Sequence, residues 1–217
     1  MSRENGVFIT FEGGEGGGKT FQLNSLGRQL QNLGLDIVCT REPGGTPISE
    51  QIRGVIHSFE NVQMVPQTEF LLFQAARAQH VHQVIIPGLQ DNKIVLCDRY
   101  TDSTLAYQGY GHCLDIINLL PIINFATGGL KPDLTLLFDL PVDVGLNRKK
   151  VSGELNRLDA LDIEFHKRVR EGYLKMVGDE PDRWRVIDAS KTTMEVENSV
   201  WNEVSVYLRA MGMLGLV

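Results

Sequence analysis

Five short apolar runs punctuate the chain, and between them apolar residues recur at helical spacing. Val7-Phe-Ile-Thr-Phe11, Ile37-Val-Cys-Thr40, Ile94-Val-Leu-Cys97, Leu134-Thr-Leu-Leu-Phe138 and Arg185-Val-Ile187 read as strands. Most are continuously apolar, as strands covered on both faces must be. After the first run and a glycine cluster, Leu23, Leu26, Leu30 and Leu33 fall on one helix face, which Gly34 closes. Further helices are predicted over about Ile48 to His57, Thr68 to Ile86, Leu114 to Ala126, Val142 to Lys150, Asp162 to Val177 and Met194 to Met211. Asp162 suits the N-cap of its helix. Strands alternating with helices predict an α/β fold, a five-stranded parallel sheet flanked by helices. Ligands of such sheets sit beyond the carboxyl ends of the strands, so the polar residues after each strand are the candidates for chemistry.

At 217 residues, positions 1–217 are expected to form a single domain with one active site. A hydrophobic fraction of 42% and a charged fraction of 22% fit a globular chain. The net charge of -6 argues against holding a nucleic acid polymer on a broad basic face, so any phosphorylated ligand must meet a local positive site. Cys39, Cys97 and Cys113 are scattered with no CxxC pair, which predicts a reduced, cytoplasmic protein. The start, Met1-Ser-Arg-Glu-Asn5, lacks the apolar core of a signal peptide, and no apolar run reaches bilayer-spanning length, so no membrane partner is expected. The tail Met213 to Val217 is read as a packed or frayed end. His57, His80, His82, His112 and His166 form no ligand set, and the acidic stretch Asp159 to Glu164 reads as a helix start.

The glycine cluster carries the first chemical signal. Gly13-Gly14-Glu15-Gly16-Gly17-Gly18-Lys19-Thr20 fits G-x-x-x-x-G-K-[ST] between a predicted strand and a predicted helix, the context a P-loop requires. Its glycines let successive N–H groups wrap the phosphates of ATP, Lys19 adds a charge at the β/γ-phosphates, and the Thr20 hydroxyl can ligate Mg²⁺. Asp98, closing the third strand, reads as a Walker-B-like acid for that Mg²⁺ or as the N-cap of a following helix.

A kinase acting on a neutral hydroxyl wants a carboxylate base, whereas a phosphate acceptor is already nucleophilic and needs cations to hold it. Arg41 follows the second strand, Arg99 the third, and Arg77 lies on the helix between them. Guanidinium forks match phosphate oxygens in two-point contact, so the acceptor is expected to be a nucleoside monophosphate.

Thr40-Arg-Glu-Pro-Gly-Gly-Thr46, Phe70-Leu-Leu-Phe-Gln-Ala-Ala-Arg77, Asp98-Arg-Tyr100 and Ala106-Tyr-Gln-Gly109 occur in the order of the thymidylate kinase signatures, and the chain resembles that family over nearly its whole length. The resemblance implies phosphorylation of dTMP to dTDP by ATP with Mg²⁺, a step toward dTTP, in a homodimer. It further implies that Arg41 and Arg99 hold the acceptor phosphate, that Glu15 approaches the sugar 3′-hydroxyl, that Phe73 stacks on thymine and that Arg77 bonds its carbonyl edge. Thr104 and Gln108 resemble positions that read the pyrimidine and sugar, and Tyr107 the aromatic that crowds a ribose 2′-hydroxyl.

Part of the family carries an arginine inside the phosphate loop; the rest places basic residues in a lid. Gly14-Glu-Gly-Gly17 implies the second arrangement. The lid candidate spans about 148–159, with Arg148 and Arg157 as catalytic cations and Lys149 or Lys150 as alternatives. Ser152 departs from a position that is often basic, and Asn156 from one that is often aspartate. Two other readings fit the phosphate loop: another nucleoside or nucleotide kinase with deoxypyrimidine preference, and a P-loop regulatory NTPase. The second lacks N-K-x-D, since Asn92-Lys93 runs into Ile94-Val95. A deoxynucleoside kinase resembles Glu-Arg-Ser where this chain has Asp98-Arg99-Tyr100.

Overall fold

A computed structural model describes residues 6–153 and 155–215. The early segment Met1 to Asn5, the last two residues of the apolar tail, and Glu154 of the lid candidate lie outside the described residues. Five parallel strands stand in the order β2-β3-β1-β4-β5. They are β1 (Val7–Glu12), β2 (Ile37–Arg41), β3 (Ile94–Asp98), β4 (Leu134–Asp139) and β5 (Trp184–Asp188). The three central strands are almost wholly buried, whereas edge strands β2 and β5 are half exposed. The same β-rich composition thus serves two environments, which periodicity alone does not separate.

Strand alternation sorts the core. Val7, Ile9 and Phe11 of β1, with Leu134, Leu136 and Phe138 of β4, pack on Leu23, Leu26 and Leu30 of α1 (Lys19–Asn32) and on Val196, Val200 and Val204 of a long C-terminal helix, Thr193–Ala210. Leu33 falls outside: it is the C-cap and 57% exposed, because the helix stops one residue earlier. Truncating Leu26 or Leu30 to alanine would cost about 2–5 kcal/mol. On the opposite face, Phe8 and Val95 pack against Val81, Ile85 and Leu89. Glu12 also belongs to this second face, a charged residue at the end of a mostly apolar strand.

Between β2 and β3 lie α2 (Pro47–His57), α3 (Pro66–His80) and α4 (Ile86–Gln90), the last two joined by a π turn over Val81–Ile85. The single helix expected over Thr68 to Ile86 is therefore divided. Pro87 cannot donate to the helical ladder, and the wider turn before it absorbs the missing bond. After β3, α5 (Thr101–Thr104) runs into a π segment, Leu105–Gly111, that no apolar period announced. Then follow α6 (Ile116–Thr127), α7 (Val142–Ser152), α8 (Ile163–Asp179) and α9 (Thr193–Ala210). The Asp162 side chain accepts from Phe165 N–H as the cap of α8. Among the described residues no helix is long and apolar enough to cross a membrane.

Candidate functional site

The polar segments after β1, β2 and β3 turn toward one cleft of about 570 Å³ at the carboxyl edge of the sheet. β1 sits between β3 and β4, so its exit opens at the point where chain connections diverge to either side. Gly13 there has φ 134, and a Cβ would collide with the Phe138 carbonyl. Gly18, at φ 78, caps α1 with its N–H groups aimed at the loop. Lys19 is buried and its Nζ donates to the Gly14 carbonyl at 2.6 Å, across the loop mouth. Burial and the nearby Arg99 charge lower its pKa to about 8, against the pull of Glu15, Asp98 and Glu12. The Thr20 hydroxyl donates to Asp98 Oδ2, joining the start of α1 to the end of β3. Two hard oxygen donors in contact beside a phosphate loop fit Mg²⁺, which keeps water and phosphate in its remaining positions.

Facing the loop is Arg99, which a backbone at φ 68 throws back toward β1. Its Nη1 donates to the Gly13 carbonyl at 3.0 Å, and its Nη2 donates to Glu15 Oε1 at 2.8 Å. Tyr107 also donates its hydroxyl to Glu15 Oε1, at 2.7 Å, and its ring lies 5.0 Å beneath the Arg99 guanidinium. Burial pushes the Glu15 carboxyl up, but Arg99, Lys19 and the Tyr107 hydroxyl outweigh it and bring the pKa down to about 2. The only acid of the loop is thus ionised and turned toward Arg99 and Tyr107.

The deep wall is a buried polar network. Arg77 donates through Nε to Glu42 Oε2 at 2.7 Å, through Nη1 to Thr104 Oγ1 at 2.8 Å and Gln74 Oε1 at 2.9 Å, and through Nη2 to the Tyr100 carbonyl at 2.9 Å. Gln108 donates to Glu69 Oε1 at 2.7 Å. At the open side, Arg41 makes a two-point contact with Glu50, 3.1 Å to each oxygen, and is half exposed. Phe73 of α3 also lines the cleft.

Of the residues singled out from the sequence for binding or catalysis, the cleft wall contains all but Gly13, Gly14, Lys150 and Arg157. Arg148 reaches the loop at the Gly16 carbonyl, 3.5 Å, and the Ala189 carbonyl, 2.8 Å. Arg157 instead points inward, donating to Glu69 Oε2 and, through Nε, to the Ile56 carbonyl at 3.0 Å. A side-chain turn explains this departure from the expected lid position. Asn156 donates backbone and side-chain N–H groups to Asp159 Oδ2, both at 2.8 Å, and accepts from Leu158 N–H, which rotates the intervening Arg157 into the protein.

Arg53, His57 and Ser103 also line the cleft and had not been singled out for chemistry. Arg53 was findable: it lies on the α2 face defined by buried Ser49 and Ile56, four and three residues away. His57 has its pKa lowered to about 4 by burial and by Arg53 and Arg99. Seven lining residues are Lys or Arg against three Asp or Glu, which makes a positive pocket inside a chain of net charge -6.

A family profile described as thymidylate kinase matches residues 11–200. The thymidylate kinase of Geotalea uraniireducens is 47% identical over 201 residues, which cover 90% of this chain and 94% of the relative. That of Roseiflexus castenholzii is 43% identical over 224 residues, covering 97% and 98%. The crystal structure of thymidylate kinase from Ehrlichia chaffeensis superposes with a TM-score of 0.75 at 33% identity, covering 92% of this chain and 99% of that one.

Proposed function

The chain belongs to the thymidylate kinase family and transfers the γ-phosphate of ATP to dTMP, yielding dTDP, and we propose that it grips the donor with residues 13–20 and the acceptor with a separate set of arginines. The observation that carries this assignment is the Arg99–Glu15–Tyr107 cluster standing opposite Lys19 in one cleft. Lys19 and the loop amides hold the β- and γ-phosphates, and Arg99 with Arg41 holds the dTMP phosphate as the nucleophile. Glu15, ionised and aimed at the acceptor half, accepts from the sugar 3′-hydroxyl, while the Tyr107 ring leaves no room for a 2′-hydroxyl. Phe73 stacks on thymine, with Arg77, Thr104 and Gln108 reading its polar edge and the sugar.

Thr20 and Asp98 would hold Mg²⁺, whose charge neutralises the donor phosphates. Residues of about 148–159 act as a lid within a one-domain enzyme. Its transition-state cation is Arg148 with Lys149 beside it, since both face the loop while the Arg157 guanidinium is engaged at Glu69. The protein works in the cytoplasm, which suits its three free cysteines. A homodimer is supported by α6, which exposes Ile117 (76%) and Phe125 (90%), and by α3, packed against it, which exposes Leu71. Sedimentation at micromolar concentration gives twice the chain mass on this reading, and a monomer there removes the dimer.

The acceptor assignment is tested by ADP release with a panel of dTMP, dUMP, ribothymidylate and thymidine. Rapid release with dTMP and none with thymidine is expected. Turnover of thymidine at a comparable rate would show that the arginines do not present a phosphate.

A further inference from the structure

Glu12 is fully buried, it is the residue immediately before the phosphate loop, and none of the assignments above uses it. Its Oε1 accepts from Tyr100 N–H at 2.7 Å, and its Oε2 accepts from the Ser103 hydroxyl at 2.6 Å and the Tyr173 hydroxyl at 2.8 Å. The Tyr100 amide can only donate and both hydroxyls have a proton to give, so the arrangement suits an ionised carboxylate, which accepts only. Two of those partners, Tyr100 and Ser103, follow Arg99 within four residues. A non-glycine residue at φ 68 is held there only when its surroundings determine it. Both amides at the turn are bonded: Arg99 N–H donates to the Phe11 carbonyl at 3.0 Å, and Tyr100 N–H donates to Glu12, while the Arg99 and Tyr100 carbonyls accept from Cys97 and Arg77. The second amide bond depends on a side chain. Ser103, fixed by Glu12, in turn accepts from Arg99 Nη1 at 3.3 Å.

We propose that Glu12 is a positioning residue that sets both the backbone and the guanidinium of Arg99, and through them the acceptor phosphate. The inference rests on Arg99 as a ligand of that phosphate. Burial and the Asp102 carboxylate raise Glu12 to about 7, against Ser103, Arg99 and Tyr173. The other groups that feel its charge are Lys19 on α1 and Cys97 on β3, and Asp102 is itself ion-paired with Arg183 at 2.7 Å. A proton on Glu12 replaces an acceptor with a donor and loosens the clamp. Efficiency toward dTMP therefore rises through about pH 7 as Glu12 ionises.

The test is Glu12→Gln, which keeps the shape and removes the charge, assayed beside the parent enzyme from pH 6 to 8.5. The expected result at pH 8 is a loss of roughly 10- to 100-fold in kcat/KM for dTMP, the size of effect that misplacing a substrate ligand produces. Most of the loss falls on the KM for dTMP, while the KM for ATP stays at the parent value. Since kcat/KM reports the free enzyme, the parent-to-variant ratio shrinks toward one at pH 6, and ionisation of the dTMP phosphate cancels in that ratio. A ratio that is flat across the range, or equal to one throughout, overturns the proposal. Ser103→Ala, which removes one of the two links, is expected to raise the KM for dTMP while keeping the rise near pH 7. If Glu12→Gln fails to fold, a Ser103→Ala enzyme with parental KM overturns the proposal in its place. Arg99→Ala separates the two readings: a parental KM for dTMP there defeats the phosphate assignment, whereas a raised KM with a silent Glu12→Gln defeats this inference alone.

Discussion

Replacing Arg77 by Met keeps most of the side-chain volume and removes a charge that is 2% exposed. Four partners lose their donor: Glu42, Gln74, Thr104 and the Tyr100 carbonyl. The important one is Glu42, 4% exposed, which loses its guanidinium partner and keeps only His80, 2.9 Å from its Oε1. Breaking a buried pair from one side costs about 3–5 kcal/mol, because the remaining charge is left uncompensated. For a chain of this size that corresponds to a fall of roughly 10 °C in Tm. The pH dependence carries a definite sign. Burial raises Glu42, but Arg77 and His80 outweigh it and leave the folded pKa below the usual value. The parent therefore holds this stabilisation above the unfolded carboxyl range and loses it as pH falls through the lowered folded pKa. In Arg77→Met burial prevails, the folded pKa rises, and the protonated acid is tolerated. The deficit is thus greatest at pH 7.5 and smaller at pH 5. Urea unfolding at both pH values, with the m-value checked for constancy, measures it. Adding Glu42→Gln should recover part of the loss. A deficit under about 1 kcal/mol, or one identical at the two pH values, would refute the reasoning.

Four further substitutions probe the site. Lys19→Ala is expected to lower kcat by at least about a hundredfold with an unchanged circular dichroism spectrum, and retained turnover would contradict the phosphate-loop assignment. Arg148→Ala should reduce kcat by about tenfold or more with little change in either KM, whereas Arg157→Ala should act mainly through stability, since its guanidinium is buried against Glu69 and the Ile56 carbonyl. The reverse pattern in steady-state kinetics would return the transition-state role to Arg157. Tyr107→Ala should raise activity on ribothymidylate relative to dTMP, and an unchanged ratio would remove Tyr107 from sugar selection.

Much of this could be read from residue types alone because the strongest signals are local. The phosphate loop needs glycines and a lysine at fixed spacing, so residues 13–20 declared the turn between β1 and α1. Strand ends carry the polar groups of a parallel sheet, which pointed to Arg41, Asp98 and Arg99. What escaped was non-local. Glu12 looks like the tail of an apolar strand until α8 brings Tyr173, and the turn after β3 brings Tyr100 and Ser103, onto it. The π segment over Leu105–Gly111 has no 3.6-residue period, since it is walled by core on several sides and its polar residues face the cleft. Arg157 sits in a basic stretch, but the orientation of its side chain is set by Asn156 bonding to Asp159, a local turn that charge patterning does not encode.

The most direct measurement is a crystal structure with dTMP and a non-hydrolysable ATP analogue bound together. The account predicts the analogue's phosphates wrapped by residues 13–20 and the dTMP phosphate bridged by Arg41 and Arg99, in line with the terminal phosphate. A monophosphate bound elsewhere, with both guanidinium groups turned to bulk water, would contradict it.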